Sequence, residues 1–347
     1  MRSPLAFKIA IPLAALIVGA LTVAIAFGGP KPMPPMESIN SPFKAVDFSD
    51  LPPSLRYKAE DGTALAYRRY SPGRGVLKGS VVLVHGSSAS SNSMHVLAKA
   101  FAKAGYEAYA LDVRGHGASG QKGTIDYIGQ LEDDLSSFVR TVSLAKPSTL
   151  VGFSSGGGFV LRFAGSQRQD EFQSYLLLSP YLSHDAPNVR PGSGGWVSVG
   201  IPRIIGLAVL NQLGIRMFNG LPVTNFALGE EAKSFLTPTY SFSLAANFQP
   251  QRDYEANIRA VHQPVAIVAG TSDEIFKTDK LEGIFRGQGQ SWPVTLLPGI
   301  GHIPLTLDAG AVNASVQAVE AMSRRGVSRQ GQSSQNGLNL VAIQDRI

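Results

Sequence analysis

The stretch Val151–Leu161, VGFSSGGGFVL, sets two adjacent serines and four glycines between apolar residues. With Ser148, Thr149 and Leu150 before it, the segment reads as a buried strand that turns directly into a helix. Reversing a strand into a helix within one residue forces the corner residue into a sparsely populated backbone conformation, at a cost on the order of 1–3 kcal/mol. The residues two positions to either side must then be very small. Gly152 and Gly156 flank Ser154 at those positions, whereas Ser155 has Phe153 where a glycine is needed. Ser154 is therefore the corner residue of a G-x-S-x-G turn. The corner lifts its hydroxyl clear of the sheet, at the positive end of the following helix, and leaves the Ser155 N–H aimed at any oxyanion that forms.

Serine is a poor nucleophile without a base, and the chain has six histidines. His302, in VTLLPGIGHIPL, follows the last apolar run in a glycine-rich loop, at the same edge of the sheet as Ser154. His85 and His116 sit in glycine turns with other roles, His95 in a helical stretch, His184 at the start of a long insertion, and His262 ahead of a strand at the opposite edge. A buried carboxylate is needed to hold the imidazole in the right tautomer. PVAIVAGTSDEIF supplies Asp273, with Glu274 and Asp279 as neighbouring alternatives and Asp185 as another. The order Ser154, Asp273, His302, each at the end of a successive strand, fits the topology that the corner motif requires. A second oxyanion donor is expected from the loop VVLVHGSSASS, and the N–H of Ser87 is the candidate beside that of Ser155.

Outward from this motif, SVVLVHG, YEAYALD, SYLLLSP, PVAIVAG and VTLLPG are further strand-like runs separated by stretches able to form helices. Their near-continuous apolar character suits a parallel sheet covered by helices on both faces. The more polar runs SLRYKAEDG and ALAYRRYSP, joined at Asp61-Gly62, read as an antiparallel hairpin at the sheet edge. Residues 181–261 are far longer than a crossover needs and predict an inserted cap over a pocket.

Residues 1–29 carry an uncharged, largely apolar stretch, Ile9–Phe27, preceded by Arg2 and Lys8. It reads as a membrane anchor with the N-terminus inside, or as a secretory signal cleaved after Ala24-Ile25-Ala26, with an ordinary buried helix as a third reading; either of the first two places the body outside the cytoplasm, on the periplasmic or extracellular side. Residues 30–54 are Pro-rich and predict an extended tether, and 324–347 predict a disordered tail. The net charge of +6 sits mainly at the two ends and leaves the body nearly neutral, which argues against nucleic acid as a partner. With no cysteine, disulfides, thiolate nucleophiles and zinc-thiolate sites are excluded.

His85-Gly86, LDVRGHGASG from Leu111 to Gly120, Gly152-Phe153-Ser154-Ser155-Gly156, Gly270-Thr271-Ser272-Asp273 and Gly301-His302 together resemble the α/β-hydrolase superfamily. The D-x-R-G-H-G-x-S segment is most similar to its monoacylglycerol lipase and lysophospholipase-like branch. The resemblance covers about residues 55–323. It implies an α/β-hydrolase fold, a mostly parallel eight-stranded sheet with helices on both faces and a cap inserted after the sixth strand. It also implies a serine hydrolase in which Ser154 attacks an ester carbonyl, His302 acts as base and then acid, and Asp273 orients it, with no metal or organic cofactor required. A serine at the corner separates it from haloalkane dehalogenases and epoxide hydrolases, whose nucleophile is a carboxylate. The apolar cap and N-terminal segment point to a small-molecule acyl ester, a monoglyceride or lysolipid of moderate chain length. An acyltransferase or peptidase with the same three residues, and a non-catalytic ligand-binding protein, are the alternatives.

Overall fold

The computed structural model describes residues 4–73 and 75–324. Its strands are β1 (Ser54–Lys58), β2 (Ala64–Tyr70), β3 (Ser80–Val84), β4 (Glu107–Leu111), β5 (Ser148–Phe153), β6 (Ser174–Leu178), β7 (Val197–Val199), β8 (Pro222–Phe226), β9 (Thr239–Ser241), β10 (Val265–Gly270) and β11 (Val294–Leu297). Eight of them form one sheet in the order β1-β2-β4-β3-β5-β6-β10-β11. The β1–β2 hairpin is antiparallel and meets β4 antiparallel, while the pairings from β4 onward are parallel. Every residue of β3, β5, β6 and β10 is buried, which is why these runs are apolar without alternation. The helix Ser155–Ala164 packs on β3, β5 and β6, and the helix His95–Lys103 on β2 and β4.

The segment D-x-R-G-H-G-x-S, which follows β4, is a knot of buried polar contacts. The Asp112 carboxylate accepts the N–H groups of Ser91 at 2.7 Å and Ala118 at 2.9 Å. Gly117 has φ +51°, and a Cβ there would fall 2.4 Å from that carboxylate. Arg114 pairs with Asp134 at 2.7 Å and with Asp61 at 2.8 Å, tying the loop to the hairpin turn. The Arg114 guanidinium holds the Asp61 carboxyl down at about 2.

Between β6 and β10 the chain leaves the main sheet and builds a second one, antiparallel, in the order β7-β8-β9. The helix Ile201–Gln212 joins β7 to β8, and its Ile201 and Ile205 are exposed. The N-terminal helix, Pro4–Phe27, lies against this inserted helix. Arg203 donates to the carbonyls of Ile25 at 2.7 Å and Ala26 at 2.9 Å, neutralising the helix's last turn.

Two expectations about the N-terminal region change. The side chains of the first helix are described only from Pro12 to Phe27, about 24 Å at 1.5 Å per residue. No helix among the described residues is long and apolar enough to cross a membrane, so the expected span is not supported. The Pro-rich stretch is not wholly extended: it turns into short helical segments at Glu37–Asn40 and Pro42–Ala45. Ile39 is buried in the main core, and Met33, Met36 and Phe43 pack against that core, because a segment carrying four large apolar side chains is better buried than solvated. Of the tail expected over 324–347, residue 324 is instead helical, the last described residue of a helix that runs from 309, and 325–347 lie outside the described residues.

Candidate active site

Ser154 immediately follows β5 and has φ +56° and ψ −120°, a conformation that only a fixed surrounding sustains in a residue with a Cβ. Its N–H donates to Leu178 O at 2.9 Å, and its carbonyl accepts the N–H groups of Gly158 and Tyr181, both at 3.0 Å. The two glycines of the turn are there for space. A Cβ on Gly152 would lie 2.3 Å from Gly156 O, and one on Gly156 would lie 2.2 Å from His85 O. Gly156→Ala is therefore expected to lower stability by at least about 1–3 kcal/mol, since backbone rather than a flexible side chain must yield. Urea unfolding measures this, and an unchanged midpoint would contradict the account.

Ser154, Asp273 and His302 are 6%, 0% and 3% exposed, so their hydrogen bonds form away from bulk water. His302 lies in the loop after β11, with Nε2 3.0 Å from Ser154 Oγ and Nδ1 2.7 Å from Asp273 Oδ2. The carboxylate fixes the tautomer: Nδ1 carries the proton and donates it to Asp273, leaving Nε2 to accept from Ser154. Asp273, in the loop after β10, also accepts the N–H groups of Ile275 at 2.9 Å and Phe276 at 2.8 Å on Oδ1. Burial pushes its pKa up, but His302 and the Phe276 N–H outweigh that and hold it below the ordinary carboxylate value.

Of the other carboxylates considered, Glu274 accepts the backbone N–H of His302 at 2.9 Å, a supporting contact on the loop rather than on the ring. Asp279 pairs with Lys280 at 3.0 Å, and Asp185 lies 4.0 Å from His184, both at the surface. Ser87 comes next to Ser155, their hydroxyls hydrogen-bonded to each other. The Ser155 N–H opens its helix, where no intrahelical partner is available. The Ser87 N–H has no partner among the described residues.

A profile described as "Serine aminopeptidase, S33" matches residues 75–306, more than half of the chain and the whole span from Ser87 to His302. The chain belongs to this serine aminopeptidase family. A monoacylglycerol lipase from Mycolicibacterium smegmatis is 31% identical over 155 residues, covering 43% of this chain and 49% of that one. A non-heme chloroperoxidase from Kitasatospora aureofaciens is 32% identical over 119 residues, covering 34% of this chain and 41% of that one. The chain thus spans about half or less of the length of these curated relatives. Among solved structures, a soluble variant of monoglyceride lipase from Saccharomyces cerevisiae in complex with a substrate analog superposes with TM-score 0.62. That pair is 18% identical, and the match covers 82% of this chain and 99% of the other, which establishes the α/β-hydrolase fold.

In this member of the serine aminopeptidase family, two rings that sequence reasoning did not single out wall the imidazole. Phe153 lies 4.7 Å and Phe276 5.2 Å, centroid to centroid, from His302. Phe276 had one available signal, its place three residues after Asp273. His85 and His116 are both fully buried and lie edge to face at 4.7 Å. Burial pushes both below the ordinary histidine value and keeps them neutral.

Proposed function

We propose that the chain is a serine hydrolase that cleaves carboxylic esters through an acyl-enzyme intermediate. One observation carries this reading: a buried Ser154–His302–Asp273 relay with contacts of 3.0 and 2.7 Å, at a kinked strand end. In the mechanism, Ser154 Oγ attacks the acyl carbonyl while His302 Nε2 takes its proton. Asp273 holds Nδ1–H and stabilises the imidazolium. The carbonyl oxygen, now an anion, is received by the N–H groups of Ser155 and Ser87. Collapse breaks the C–O bond, and His302 gives its proton to the leaving alkoxide. Water then repeats the sequence on the acyl-enzyme, releasing the acid and restoring Ser154.

The substrate class we favour is an acylglycerol or lysolipid of moderate chain length. The monoacylglycerol lipase relative supports it, as do the apolar side chains that the insertion exposes, Ile201, Ile205, Leu213 and Met217. An aminopeptidase would in addition need a carboxylate for the substrate's ammonium group. Asp273 is taken up by the His302 ring, and Glu274 accepts the His302 backbone N–H through Oε2.

A fluorophosphonate probe is expected to label the folded protein, and p-nitrophenyl esters graded by acyl length, with monoglycerides and lysophospholipids, should be hydrolysed. No labelling of folded protein would favour a non-catalytic binding protein. Cleavage of aminoacyl amides in preference to esters, or transfer to added alcohols in preference to water, would favour the peptidase or the acyltransferase.

A further inference from the structure

Ser88, the residue after the candidate oxyanion donor Ser87, is fully buried and has φ +67°. That conformation is uncommon for a residue with a Cβ and persists only where the surroundings over-determine it. Here a single strap from the insertion supplies three hydrogen bonds. Thr237 N–H donates to Ser88 O at 2.8 Å, Ser88 Oγ donates to Thr237 O at 2.7 Å, and Ser88 N–H donates to the Tyr240 hydroxyl at 2.5 Å.

The Tyr240 oxygen can accept from Ser88 because its own proton has another destination. His116 Nδ1 lies 3.2 Å from Arg114 O and must donate to it, which leaves Nε2 unprotonated in the neutral ring. Tyr240 OH, 2.6 Å away, therefore donates to His116 Nε2. His116 in turn packs against His85, whose Nε2 accepts the Val113 N–H at 3.2 Å and whose Nδ1 donates to Gly86 O at 2.8 Å. Gly86 C=O and Ser87 N–H belong to one planar peptide unit, so a bond to the carbonyl sets the direction of the N–H. The peptide before Ser87 is thus fixed by His85 and the peptide after it by Tyr240, and the two anchors are joined through His116.

We propose that the insertion sets the oxyanion geometry: Tyr240, with Thr237, holds Ser88 in its left-handed turn and so aims the Ser87 N–H, which makes Tyr240 a positioning residue for catalysis. This rests on the ester-hydrolase reading above. The insertion is then part of the catalytic frame as well as a neighbour of the substrate, because moving the strap away from Ser88 would release the donor.

Tyr240→Phe keeps the ring and removes only the oxygen. Its kcat on a p-nitrophenyl ester is expected to fall about 10- to 100-fold, somewhat less than outright removal of an oxyanion donor, with KM within about threefold. A trifluoromethyl ketone that adds to Ser154 and places an oxyanion in the hole should lose affinity by the same factor as kcat. The matching alcohol, which fills the pocket without forming an oxyanion, should bind as before. Unchanged kcat, or an equal loss of affinity for ketone and alcohol, would overturn the proposal. If Tyr240→Phe fails to fold, Ser88 decides. Ser88→Gly accepts the positive φ and should be at least about tenfold more active than Ser88→Val, whose branched side chain does not. Equal activity of those two variants would overturn the proposal. Wild type inert on all esters sinks the ester reading and this inference together, whereas an active wild type matched by Tyr240→Phe sinks this inference alone.

Discussion

Ser154→Ala is expected to reduce kcat for ester hydrolysis by a factor on the order of 10⁵–10⁶, with the fold intact. The hydroxyl's hydrogen bond is to His302 Nε2 at 3.0 Å, and the backbone bonds that set the corner, to Leu178, Gly158 and Tyr181, do not involve it. Alanine has the same Cβ, so the cost of φ +56° is the same in both proteins. On the proposed mechanism, what disappears is the nucleophile, and with it the acyl-enzyme. Residual turnover then comes from the oxyanion donors and from binding alone, which in serine hydrolases leaves roughly 10³–10⁴ over water. Ser155→Ala is the control. Its contribution is a backbone N–H, and its hydroxyl bonds to that of Ser87, so activity should stay within about tenfold of wild type. Steady-state kinetics and fluorophosphonate labelling of both variants check this. A dead Ser155→Ala beside an active Ser154→Ala would reverse the assignment of the corner.

The legible parts of the fold are those that local chemistry dictates. The runs around β3, β5, β6 and β10 had to be apolar on both faces, and the hairpin had to turn at Asp61-Gly62, where Gly62 takes φ +82°. Ser154, Asp273 and His302 are candidates because each follows a strand within a few residues, Ser154 and His302 in glycine-rich turns. The sequence does not show Tyr240 meeting Ser88 and His116, since these contacts span 152 and 124 positions. Nothing in the periodicity of residues 181–261 marks a three-stranded sheet, whose strands β7 and β9 have only three residues each. The docking of Ile39 on the core was hidden by the prolines around it, since their density reads as an extended linker whether or not apolar residues lie between them.

Asp273→Asn tests the relay from its buried end. Asp273 Oδ1 accepts two backbone N–H groups, from Ile275 and Phe276, so the carbonyl of an asparagine is held on that side. Its NH₂ must then face His302 Nδ1 and donate to it. That forces the ring proton onto Nε2, which points at Ser154 as a donor and cannot take the serine proton. On this account kcat falls by about 10⁴ while KM changes little, because substrate binding does not depend on the tautomer. Stability should respond to pH in the matching sense. The Asp273 pKa is lowered in the folded protein, so the ionised carboxylate stabilises the fold above its unfolded value, and that contribution is lost as pH falls through the folded one. Wild type should therefore lose thermal stability on acidification below the usual carboxylate range more steeply than Asp273→Asn. Kinetics at neutral pH and melting curves across the acid range measure the two effects separately. An Asp273→Asn variant with wild-type kcat would show that His302 is oriented by some other group, for which the Glu274 carboxylate on its backbone N–H at 2.9 Å is the nearest candidate.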